Sequence, residues 1–199
     1  MKQALVLVAL VLANSASAAD GPLPSIFGQQ LGAPVSLPEC QRMVLTYPHP
    51  DGSPAPYETG QAVTCQQMPE SVLPETGAIR FTSTQLPAIL KEKLVVTSII
   101  DGRLNGVYAA TQGYENADLI VEQLTAKFGK PTQVEAESVM IDTIARQGKV
   151  FEWKQSGYAV EYHTLSRHEG YGTLDIETDL GRDHRLQRKA KRDAERTPL

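Results

Sequence analysis

Cysteine, histidine and tryptophan are scarce in this chain: two, four and one among 199 residues. Two thiols are too few for a four-cysteine zinc site or for a small-protein disulfide scaffold. Four histidines leave few bases for nucleophilic catalysis, and no G-x-S-x-G, H-E-x-x-H or S-x-x-K pattern accompanies them. Excess positive charge is also missing. With 19 Lys and Arg against 23 Asp and Glu, the net charge is −4, so the phosphate-neutralising cations of a general nucleic-acid binder are absent and no nucleic-acid partner is expected. No long apolar run follows the first twenty residues, which excludes a multi-span membrane protein. The glycines of DGRLNG (101–106) lie between strand-like residues and do not open a helix. A dinucleotide loop is thereby disfavoured, and no cofactor is expected.

What the chain does have begins at Met1. Lys2 precedes a ten-residue apolar run, residues 4–13, and Ala16-Ser17-Ala18 fits the small-x-small cleavage pattern. Ten helical residues reach about 15 Å, half a hydrocarbon core. Residues 1–18 therefore read as a removable signal peptide, and the mature protein is expected to be soluble in the periplasm or secreted, with no transmembrane span. An oxidising compartment favours pairing of the only two thiols, Cys40 and Cys65. The bridge would close a 25-residue separation, worth about 3.5 kcal/mol by chain entropy.

Residues 19–76 hold ten of the thirteen prolines, a spacing that long regular elements do not survive. Residues 47–62 read as an exposed loop, and a brief helical turn fits 37–43. From residue 77 to 180 the pattern is that of an α+β domain. A short strand is expected over 78–82. A hairpin over 93–111 turns at Asp101-Gly102, which pairs Val96 with Val107 and Ile99 with Leu104. A helix over about 116–128 follows, with Asn116 as cap, Ala117, Ile120, Val121, Leu124 and Phe128 on one face, and Gly129 with Pro131 as stop. Further strands are expected over 137–142, 149–154, 158–165 and 173–179, with turns at Gln147-Gly148 and Ser156-Gly157. The predicted architecture is one main helix packed on one face of a twisted antiparallel sheet.

Setting Tyr162 opposite Ile176 puts Tyr158, Val160, Tyr162, Leu174 and Ile176 on the core side. The other side then carries Glu161, His163, Thr173, Asp175, Glu177 and Asp179. Glu161, His163, Asp175 and Glu177 could ligate a cation there; as the water-facing side of a half-exposed sheet they need no ligand. His49, His168 and His184 fall in loops or the tail. Glu152 and Glu161 are the arguable glycosidase carboxylates, although the acid member would need burial. Residues 181–199 form a basic tail with seven Lys and Arg against three Asp and Glu, following a mature body (19–180) with eleven against twenty. The tail could form a helix, but its only apolar strip, Leu186, Ala190 and Ala194, is too thin to dock strongly, and it reads as a solvated extension folding back on the acidic body. Alternatively, Arg185, Arg188, Lys189, Lys191 and Arg192 form an arm for an anionic envelope partner.

The turn in DGRLNGV, Thr111-Gln112-Gly113, the helix ending LTAKFGKPT and the strand with Trp153 resemble a loose class of small exported, uncharacterised bacterial α+β proteins. FGQQLGAP, from Phe27, is similar to an opening that precedes such domains. The resemblance implies export and an α+β fold and no catalytic residue. A more remote likeness, at the level of fold alone, is to small envelope assembly modules. The expected function is a non-enzymatic periplasmic or secreted binding protein whose partner is another envelope or secreted macromolecule. The alternatives are an exported metal-dependent or acid/base hydrolase using Glu161, His163 and Asp175, and a structural or stress-related envelope protein.

Overall fold

Apolar and polar residues alternate along the second half of the chain, and the alternation is resolved by one antiparallel sheet with one covered face. The structure is a computed structural model that describes residues 22–40, 64–67, 75–141, 143–167 and 171–196. The expected signal segment, the 47–62 loop, His49 and His168 lie outside the described residues. A two-stranded ribbon, β1 (Ser25–Ile26) and β2 (Gln29–Gln30), comes first. Eight strands then form the main sheet: β3 (Cys65–Gln67), β4 (Thr76–Arg80), β5 (Leu94–Ile100), β6 (Arg103–Thr111), β7 (Gln133–Ile141), β8 (Ile144–Gln155), β9 (Tyr158–His163) and β10 (Gly172–Thr178). Their spatial order is β3-β4-β5-β6-β10-β9-β8-β7. The last strand thus slots between β6 and β9 and joins the β5–β6 hairpin to the β7–β8–β9 meander. Two helices complete the fold, α1 (Ala117–Phe128) and α2 (Asp179–Arg196).

The core lies on the face covered by α1 and by residues 22–37. Ile120, Leu124 and Phe128 of α1 pack with Trp153, Val160, Tyr162, Leu174 and Ile176, while Ile26 and Leu31 join Leu104 and Val107. Trp153 is fully buried, and its Nε1–H donates to the carbonyl of Gly129 at 2.8 Å. Gly129, at φ 83°, ends α1 directly over the indole. Asn116 stands at the expected cap position, yet its side chain makes no capping bond; a 3-10 turn, Tyr114–Asn116, leads into the helix instead.

The hairpin turn at Asp101-Gly102 and the Ile99–Leu104 pair are as expected. A register shift between Ser98 and Ile99 moves the next partner by one, so Val96 faces Tyr108 and Val107 faces Thr97. Tyr162 faces Leu174 and not Ile176, a slip of two residues that leaves every side chain on its expected side. Gln147-Gly148 is not a turn. It lies inside β8, because a Cβ at Gly148 would stand 3.0 Å from Leu165 Cδ1 and Thr164 Oγ1. The chain reverses between the paired residues Ile141 and Ile144, with Thr143 at φ 94°. Residues 37–40 form no helical turn. Glu39 bridges Gln66 in parallel, while Gln66 donates to the carbonyl of Pro38 and Cys40 donates to that of Gln66.

The Cys40–Cys65 disulfide ties this short segment to β3. Residues 181–196 are helical, not a bare tail. Thr178 caps α2, its hydroxyl accepting the Gly181 N–H at 3.0 Å and donating to Asn105 Oδ1 at 2.9 Å. Replacing both Cys40 and Cys65 by Ser is expected to cost about 2–4 kcal/mol. Urea unfolding of the double variant beside the oxidised protein checks this, and equal midpoints would show that the cross-link contributes nothing.

Candidate functional site

The face of the sheet opposite α1 collects the charged residues, with α2 over one end of it. One row across it runs Glu152, Glu161, Asp175, Tyr108 and Val96 on β8, β9, β10, β6 and β5. The neighbouring row carries Val150, His163 and Thr173, with Glu135 of β7 opposite Val150. Glu137, two residues further along β7, faces Gly148, where Leu165 and Thr164 take the space beside the glycine. The imidazole of His163 reaches Glu137 across β8. Its Nδ1 lies 3.0 Å from Glu137 and its Nε2 2.5 Å from Glu161.

Two carboxylates on one ring hold the proton on it. The hydrogen bond to Glu161 is the main cause, the bond to Glu137 adds to it, and together they raise the pKa of His163 to about 9 against the cost of burial. In return the His163 bond lowers the pKa of Glu161. At neutral pH the group is an imidazolium clamped between two anions, a tie from edge strand β7 across β8 to β9.

Asp175 has no such partner among the described residues. Burial first, then the facing Glu161 and neighbouring Glu177, raise its pKa to about 6 against the weaker pull of His163 and Arg185. Glu177, with its side chain 7% exposed, is held by Arg185 of α2 at 2.8 Å. Tyr108 leans over Gly106, where a Cβ would meet its hydroxyl at 2.8 Å, and burial raises its pKa. At the far side, His184 and Arg188 reach Glu75, at 3.1 and 3.5 Å.

The structure therefore brings Glu161 and His163 together, sets Asp175 opposite Glu161, and gives Glu177 to Arg185. This is an ion-pair array. Both nitrogens of His163 are taken by carboxylates, and a protonated ring repels a cation. Among the described residues no three His, Cys, Asp or Glu side chains are arranged to hold a metal ion. Glu161 and Asp175 do have the divided acidity that acid/base chemistry uses, but they lie on an open face. Neither lines the cavity of about 540 Å³ beside Lys91, Gln112 and Leu165. Of the basic residues proposed for an arm, Arg185 and Arg188 turn back on the body, while Lys189, Lys191 and Arg192 are exposed.

Sequence reading missed Glu137, because a turn at Gln147-Gly148 leaves it no place beside His163. It also missed Glu75 and Tyr108, which only the β4–β5–β6 pairing brings to this face. No family model, curated protein or solved structure matches the chain. Among the described residues, no helix is long and apolar enough to cross a membrane.

Two outcomes follow for stability. His163 titrates higher folded than unfolded, so its contribution is full below about pH 6.5 and is lost as pH rises through about 9. His163→Gln should cost about 1–2 kcal/mol at pH 7 and should erase the loss between pH 7 and 10 seen in denaturant unfolding of the parent. Asp175 shifts in the same direction for a different reason, because in its case the charged form is the disfavoured one. Its folded pKa lies above the unfolded value, so ionising it as pH rises from about 4 through about 6 destabilises the fold. Asp175→Asn should raise stability at pH 7 by on the order of 1 kcal/mol, discounted for partial solvent screening; a lower melting temperature would contradict this account.

Proposed function

We propose that this chain is an exported, non-enzymatic binding protein that adds an extended segment of another envelope or secreted macromolecule to its sheet as a strand on β7. One observation carries the reading. β7 is a nine-residue edge strand, and among the described residues nothing pairs with its outer side. Such an edge is a template for a further strand unless it is covered or interrupted. Val134 and Met140, on the side of the covered face, are 51% and 58% exposed, and Ile144 across the reversal is 57% exposed. Ala136 lies between them on the same side, while Glu135 and Glu137 alternate onto the charged face.

A matching partner strand alternates as well, with apolar residues beside Val134, Ala136 and Met140 and basic residues beside Glu135. The acidic body favours such a partner over an acidic one. Export is supported by the apolar opening with its small-x-small end and by the disulfide, which suits an oxidising compartment.

Two measurements test this. Mass spectrometry of the protein from its native host should find a chain beginning at Ala19 with Cys40 and Cys65 oxidised; an uncut, reduced chain would refute export. A synthetic peptide alternating valine and lysine should slow hydrogen exchange of the β7 amides. One alternating valine and glutamate should not, and Val134→Asp with Met140→Asp should abolish the protection. Unchanged β7 exchange with the lysine peptide would remove strand addition as the binding mode.

A further inference from the structure

The two helices carry opposite charge on sides that face away from the sheet. On α1, Asp118 and Glu122 stand four residues apart and so share a side, with Leu119 beside them. All three are exposed, Leu119 at 53%. The helix has no cation before Lys127, and among the described residues no cation pairs with Asp118 or Glu122.

On α2 the pairing with the sheet ends early. Arg185 holds Glu177, and His184 and Arg188 reach Glu75. From Lys189 to Glu195 every residue is exposed. Lys189, Lys191 and Arg192 lie in this stretch, and among the described residues no carboxylate pairs with them. Leu186, 50% exposed, sits one turn before Lys189 on the same side.

The sheet keeps these two surfaces apart. α1 covers the core face, while α2 lies over one end of the opposite face. One copy cannot bring Asp118 and Glu122 to Lys189 and Arg192, but two copies can. The charge of the chain favours that meeting. Residues 181–199 hold seven Lys and Arg against three Asp and Glu, and residues 19–180 hold eleven against twenty, so the basic end of one copy is drawn to the body of another. Each charged surface also offers one exposed leucine, which supplies an apolar centre for the contact.

We propose that α2 of one copy docks on the outer side of α1 of a second copy, with Lys189 and Arg192 against Asp118 and Glu122 and Leu186 against Leu119. Two different surfaces meet, so the contact runs head to tail and the last copy added always keeps a free helix. Two short helical faces bury less than the roughly 1,200 Å² of a standard interface, which sets a weak affinity, on the order of 0.1 mM. The contact uses no part of β7, and the failure of either proposal leaves the other standing.

Sedimentation velocity of the oxidised protein tests the assignment. In about 20 mM salt the mean sedimentation coefficient should rise between about 10 µM and 1 mM protein, and about 0.5 M salt should return it to the monomer value. Lys189→Glu with Arg192→Glu should weaken association about tenfold, and so should Asp118→Lys with Glu122→Lys. An equimolar mixture of these two doubly substituted chains should restore it, because each reversed helix then meets its reversed counterpart and the two native helices meet each other. Leu119→Ser, expected to weaken it several-fold, supplies an independent reading should a charge reversal disturb the fold. Val134→Asp with Met140→Asp should leave association unchanged, which separates this contact from pairing at β7. The proposal is overturned by a monomer at every concentration in low salt, by association that survives the reversals, by a mixture that stays monomeric, or by loss of association in the β7 variant. A monomer that binds vesicles of anionic phospholipid through Lys189 and Arg192 would likewise overturn it and assign the basic helix to a lipid surface.

Discussion

Burial of one side of the β6–β10–β9–β8 sheet under α1 and residues 22–37 is the constraint from which the remaining features follow. Trp153, Val160, Tyr162, Leu174 and Ile176 form a continuous dry surface, and the indole hydrogen bond to Gly129 sets where the helix ends on it. Strand alternation then leaves no choice for the neighbours of these residues. Glu152, Glu161, His163, Asp175 and Glu177 must share the other side, and a sheet packed on one face only must carry its charge there. The charged face needs no ligand to explain its existence. It is the necessary complement of the core.

That face is balanced by few cations. His163 between Glu137 and Glu161, and Arg185 on Glu177, offset three carboxylates. Both contacts also do mechanical work, since His163 ties the outermost strand to the third from the edge and Arg185 draws α2 over β10. Asp175 lies between the two groups and belongs to neither, which, with its burial, is why its acidity is weakened. A central carboxylate without its own counterion is what an ion-pair array looks like when its cations are placed to hold strands and helices together. The cavity beside Lys91 and Gln112 is lined by other residues.

Much of this was legible in the chain because side-chain parity survives errors of pairing. Tyr162 was expected opposite Ile176 and lies opposite Leu174, yet an even slip keeps every residue on its side, so the core and the charged face were both read correctly. The one-residue shift at Ser98 was not legible, since a bulge leaves no mark in apolar–polar alternation. Gly148 misled for a physical reason: a glycine that makes a turn and a glycine that yields space to Leu165 have the same letter. The true reversal at Thr143 uses a positive φ without glycine, which no turn rule anticipates. The missed α2 start has a local signal, Thr178 followed by Asp179, but Thr178 also continues the alternation of β10 and so read as strand. Glu137 was lost with the misplaced turn, and with it the second arm of the His163 clamp.

The two edges of the sheet are finished differently, and the contrast bears on what the chain does. β3 is three residues long, and its outer side is occupied: Gln66 exchanges backbone hydrogen bonds with Pro38 and Cys40, and the disulfide holds that segment in place. A covalent bond thus stands behind the closure of the shorter edge. β7 is three times as long, yet among the described residues neither strand, proline nor disulfide closes it. Two glutamates moderate it, and Glu137 is drawn inward by His163, leaving Glu135 and the exposed Val134 and Met140 to define its character. A fold that closes one edge so firmly has the means to close the other. Among the described residues nine residues of β7 backbone keep an unpaired outer side, held from behind by the imidazolium clamp, and on that side the strand-addition proposal rests.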